Sequence, residues 1–126
     1  MDIPTSSSDD SSCSYLQVGP ADSLPPGRVS RFVVGDRAIA IANVNGRLWA
    51  FEDRCLHWGV RLSDGVLDGD VMRCRAHGWR HSLSKGEVVA SNPPGDEGLR
   101  LTRYPAKVQD GYIWVGTLPR CPGPDS

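Results

Sequence analysis

The sequence predicts an all-β fold of antiparallel strands packed in layers. Two observations carry it: apolar and β-branched runs of strand length recur along the chain, and turn dipeptides containing Gly separate them. A third is negative, since no segment of eleven or more residues keeps a helical apolar period without a Gly or Pro interrupting it.

Taken in order, residues 1–14 (MDIPTSSSDDSSCS) are mostly polar, with almost nothing to bury, and are expected to form a disordered tail that leaves Cys13 outside the fold. Residues 31–34 and 38–44 read as strands separated by Gly35-Asp36, and Asn45-Gly46 marks a tight hairpin leading into LWAF. Further turns are expected at Asp68-Gly69, Lys85-Gly86 and Asp110-Gly111, for a total of about eight to ten strands in a small sandwich or barrel. The last stretch, LPRCPGPDS, carries three prolines and a glycine, so Cys121 is expected on a second tail. The domain expectation is therefore a tail over 1–14, one folded domain over 15–118 and a tail over 119–126.

A chain of 126 residues suits one domain with one modest core. With 14 Lys+Arg against 15 Asp+Glu, no broad basic face is implied, and nucleic acid is not an expected partner. No apolar run approaches the roughly 20 residues of a membrane helix, and the N-terminus has neither a basic start nor an apolar core, so a soluble cytoplasmic protein is expected.

Four cysteines could form two disulfides, but secreted scaffolds are usually richer in cysteine, and two of these four lie beside histidines. The pattern is Cys55-x-His57, sixteen residues, then Cys74-x-x-His77. Each pair follows a predicted strand end, so two loops at one end of a sandwich could close on a metal from both sides. Two thiolates and two imidazoles suit tetrahedral zinc or an iron–sulfur cluster. Zinc sites of this composition usually group a Cys pair and a His pair, whereas here each loop supplies one of each. Mixed pairing suits a two-iron cluster with both cysteines on one iron and both histidines on the other. A structural zinc module stays open as the other reading.

The two ligand pairs, with Gly59 and Gly78 beside the histidines, FEDRCLH, HGW and the loop SNPPG, resemble the Rieske two-iron, two-sulfur domain over about residues 15–118. The resemblance implies one [2Fe–2S] cluster per chain, held by Cys55, Cys74, His57 and His77, with positive φ at the glycines and Pro93 and Pro94 in a loop shielding the third side. Respiratory relatives carry an extra loop disulfide and a Ser and Tyr at the cluster. Here Val60, Ala76, Trp79 and His81 stand in those places, which implies the soluble ferredoxin and oxygenase branch and a potential toward the low end of about −150 to +300 mV. Trp58 and Trp79 are read as packing around the loops, and His81 as a half-exposed polar residue on a strand rather than a third ligand.

With His57 and His77 engaged, only His81 remains, so a second, mononuclear iron on two His and a carboxylate is not expected, nor is a nicotinamide or flavin site, since GxGxxG is absent. The implied function is that of a one-electron carrier rather than an enzyme on its own, taking electrons from a flavin-dependent ferredoxin reductase to a terminal oxygenase, as a monomer. The alternative is a small subunit of a larger redox enzyme of the nitrite reductase kind. Arg54, Arg61, Arg73, Arg75 and Arg80 against Asp64, Asp68 and Asp70 further suggest a locally basic cluster end and an acidic patch on the partner.

Overall fold

The computed structural model describes residues 15–34, 37–56, 60–76, 78–91 and 94–116. The expected tails, with Cys13 and Cys121, lie outside the described residues, as do Gly35-Asp36, His57, Trp58, Gly59, His77 and Pro93. Among the described residues the fold is all-β, as expected, with eleven strands in three antiparallel sheets. Two single 3-10 turns, Ala21–Ser23 and Leu62–Asp64, are the other regular elements described.

The strands are β1 (Tyr15–Pro20), β2 (Val29–Val34), β3 (Arg37–Val44), β4 (Arg47–Glu52), β5 (Val66–Asp68), β6 (Val71–Arg73), β7 (Arg80–Ser82), β8 (Glu87–Ala90), β9 (Arg103–Tyr104), β10 (Ala106–Gln109) and β11 (Tyr112–Gly116). They pair in the orders β1-β11-β10, β2-β3-β4-β9 and β5-β6-β7-β8. The total exceeds the eight to ten expected, because β1 ends in Gly-Pro and β9 spans two residues. Neither leaves a clear apolar run in the sequence.

Turn chemistry sets the register. Asn45 and Gly46 have φ of 54° and 94°, and Asp110 and Gly111 have 56° and 81°, the double positive φ that matches strand twist in a two-residue hairpin. The side chain of Asn43 supports the first turn by accepting the Gly46 N–H at 2.8 Å, while its amide donates to the Leu24 carbonyl at 2.8 Å. The turn expected at Asp68-Gly69 falls one residue later, at Gly69-Asp70, because Asp68 still pairs with Val71.

Strand β3 is buried on both faces, and its alternation divides the core. Ile39 and Ile41 pack with Leu24, Ala50, Tyr104, Ile113 and Val115. Ala40 and Ala42 face the other way, where they join Phe51, Leu62, Met72, Leu83, Val88, Leu101 and Trp79. That second cluster also contains Cys55 and Cys74, so the central sheet forms one wall of the compartment that holds both cysteines.

Candidate metal centre

Two six-residue loops carry the cysteines, and they are built alike. Cys55 N–H donates to the Val60 carbonyl at 2.7 Å, and Cys74 N–H donates to the Trp79 carbonyl at 2.8 Å, so each loop is closed at its neck between the cysteine and the residue five positions on. In sequence, CLHWGV and CRAHGW align between these necks with a glycine fifth in each. In the second loop Gly78 adopts φ +74° and donates to the Cys74 carbonyl at 2.9 Å, the conformation expected of it.

Neighbouring elements hold the loops in place. The first leaves β4 at Glu52 and returns through the 3-10 turn Leu62–Asp64; the second connects β6 to β7, whose register pairs Arg73 with Arg80 just outside the neck. Gly65 packs against the Arg73 backbone so closely that a β-carbon there would overlap the Arg73 carbonyl oxygen. The first loop's return is thus wedged against the strand that delivers Cys74.

Asp53, which the sequence reading passed over, straps the first loop. Its backbone N–H donates to the Ala38 carbonyl at 3.0 Å. Its buried carboxylate accepts the Ser63 N–H at 2.7 Å and the Ser63 hydroxyl at 2.6 Å, and pairs with Arg31 Nε at 3.0 Å. Residues two before Cys55 and three after Val60 are thereby tied together. An Asp just after a strand, followed ten residues later by a Ser, was the available signal, but it is indistinguishable in sequence from an ordinary turn.

Cys55 and Cys74 are each 2% exposed, neither is in a disulfide, and both belong to one apolar cluster. As metal-bound thiolates the two would need a compensating cation in such a compartment, and the donor set suits iron. His81, on β7 opposite Met72, is fully buried rather than half exposed as expected, and neither ring nitrogen makes a hydrogen bond of good geometry. Burial holds its pKa below the usual imidazole range, against the opposing influence of the Met72 and Trp79 backbone, so the ring is kept neutral. Trp79 is buried and packs with the cysteines, in keeping with its expected packing role. Pro94 is exposed in the third loop, whose Gly95 and Asp96 N–H groups donate to Glu97 and Ser91.

The model of the Rieske [2Fe-2S] domain matches residues 14–105. The ferredoxin component of the alkene monooxygenase system of Xanthobacter autotrophicus is 33% identical over 106 residues, covering 83% of this chain and 83% of that protein. The biphenyl dioxygenase ferredoxin subunit of a Pseudomonas species is 35% identical over 95 residues, 75% of this chain and 84% of that protein. Among solved structures, a chain in the complex of reduced oxygenase and oxidized ferredoxin of carbazole 1,9a-dioxygenase superposes with a TM-score of 0.72 at 32% identity, covering 82% of this chain and 94% of that one. The chain belongs to the Rieske [2Fe-2S] domain family, and its cofactor is one [2Fe–2S] cluster. Within that family its function is that of a ferredoxin, a one-electron carrier of an oxygenase system.

Proposed function

We propose that Cys55 and Cys74 hold one iron of the cluster and His57 and His77 the other. The domain would span residues 15–118 between tails over 1–14 and 119–126. It would take an electron from a flavin-dependent reductase and deliver it to a terminal oxygenase of the ring-hydroxylating type, as a cytoplasmic monomer. The observation that carries the ligand assignment is the equivalence of the two loops: each has a buried cysteine at its neck and a histidine two or three residues on.

The residues divide the work by depth. The buried necks exclude water from the thiolates, and apolar neighbours such as Leu62, Met72 and Trp79 keep the compartment dry. In the second loop Arg75, Ala76 and Gly78, which bracket His77 in sequence, are exposed. The histidine side is therefore assigned as the route for electrons. Bound there, the cluster supplies reversible uptake of a single electron, with no bond making.

Metal analysis tests the assignment. Equal amounts of iron and acid-labile sulfide are expected, with loss of the visible iron–sulfur spectrum in His57→Ala and His77→Ala, because each removes one of two protein ligands to one iron. Zinc without sulfide, or a native spectrum in either variant, refutes it.

A further inference from the structure

The similarity of the two loops extends to the residues just outside their necks. Arg54 precedes Cys55 and Arg61 follows Val60; Arg73 precedes Cys74 and Arg80 follows Trp79. All four arginines are exposed, and Arg75, next to Cys74, is exposed as well. Arg73 and Arg80 are direct cross-strand partners on β6 and β7, where like charges repel and a carboxylate on one strand would normally relieve the other.

Nearby carboxylates leave much of this charge uncompensated. Arg54 meets Glu52 at 3.5 Å and Arg75 meets Asp64 at 4.0 Å, both in solvent-screened surroundings. Asp53 is committed to Arg31 and Ser63, and Asp70 to the Ser84 hydroxyl. Among the described residues no ion pair is formed by Arg61, Arg73 or Arg80. Beside Arg73 across β5 lies Val66, 51% exposed, an apolar contact next to the charged pair. The whole chain has a net charge of −1, so this concentration of arginines beside the two loops is a local feature rather than a consequence of composition.

We propose that the arginines at the two loop necks form the docking surface for an acidic face of the electron-accepting oxygenase. This rests on the electron-carrier reading above and names the chemistry of its partner: carboxylates that pair with Arg61, Arg73 and Arg80 around an apolar contact at Val66. Positive charge placed at the end of the molecule that carries the cluster orients the encounter, so the collision is productive without a large interface.

Two probes test the surface on the holoprotein. In voltammetry, electron exchange should be about tenfold faster at a carboxylate-terminated monolayer than at an amine-terminated one, and the advantage should vanish at high salt. A fluorescent oligoglutamate peptide should bind at low salt, a readout that does not depend on the cluster. Reversing Arg61, Arg73 and Arg80 together to Glu should abolish both effects with the visible spectrum intact, whereas Arg28→Glu, just before β2, should preserve them. Should the triple variant misfold, Arg61→Gln and Arg73→Gln serve in its place and should each weaken both effects.

Equal rates at the two monolayers, or oligoglutamate binding that survives reversal, overturns the proposal. Self-association at low salt that the same substitutions remove would assign the face to a second copy of the chain and also overturn it. A protein without iron or sulfide that still binds oligoglutamate through these arginines would sink the electron-carrier reading while leaving the acidic-surface recognition in place.

Discussion

Replacing Asp53 with Ala tests whether the first loop is held by its strap or by its closed neck alone. The substitution removes two hydrogen-bond contacts from Ser63, at 2.7 and 2.6 Å, and the Arg31 contact at 3.0 Å, all on a side chain with no solvent exposure. Breaking a buried pair from one side costs about 3–5 kcal/mol, since the partner groups are left unpaired. Arg31 is 31% exposed and can recover hydration, which places the expected loss at the lower end, about 3 kcal/mol. At about 4 °C per kcal/mol for a domain near this size, the melting temperature of the holoprotein should fall by about 12 °C. Circular dichroism follows the fold and visible absorbance follows the cluster, and the two losses should coincide because Asp53 and Cys55 lie on the same loop. Asp53→Asn keeps one carbonyl oxygen for the Ser63 N–H and should lose about half as much. An Asp53→Ala protein melting within about 2 °C of the parent, with its spectrum intact, would show that the strap carries little of the stability.

Two further outcomes follow from the same compartment. Gly65→Ala should lower both cluster content and stability, by about 1–3 kcal/mol or more, because the new methyl group must displace the Arg73 carbonyl next to Cys74; a fully loaded protein with an unchanged urea midpoint would contradict this. His81→Phe removes two buried nitrogens that lack a hydrogen bond of good geometry and should stabilise the protein near neutral pH by about 1–3 kcal/mol. The sign of the accompanying pH effect follows from the lowered native pKa: below about pH 6.5 the unfolded chain takes up a proton that the native His81 refuses, so the parent loses up to about 1.4 kcal/mol per pH unit until its native pKa is reached. The stability gap between variant and parent should therefore widen from about pH 7.5 to about pH 5.5 in urea titrations, and a constant gap would refute the neutral buried imidazole.

Much of the architecture was legible in the local pattern. The Asn45-Gly46 and Asp110-Gly111 hairpins formed where their dipeptides marked them, since positive φ is a requirement that few residues meet without strain. The strand Val71–Arg73 ends at the residue before Cys74, in keeping with a ligand pair expected to follow a strand end. β1 and β9 were not legible, because they are defined by pairing with β11 and β4 rather than by an apolar run of their own. Their stability comes from distant partners, which a local window does not contain.

The sequence by itself determined the all-β class, the Asn45-Gly46 and Asp110-Gly111 turns and the order of donors in CLHWGV and CRAHGW, because each depends on residue type and spacing. Only the tertiary structure decided that Cys55 and Cys74 share one dry compartment, that Asp53 ties the first loop to Ser63 and Arg31, and that Arg73 faces Arg80 outside the second neck. It also decided that His81 is sealed in the core rather than half exposed at a strand surface. The physical reason is common to all four. Burial, ion pairing and cross-strand contact are properties of residues brought together from separate parts of the chain, and they exist only once the sheets have packed.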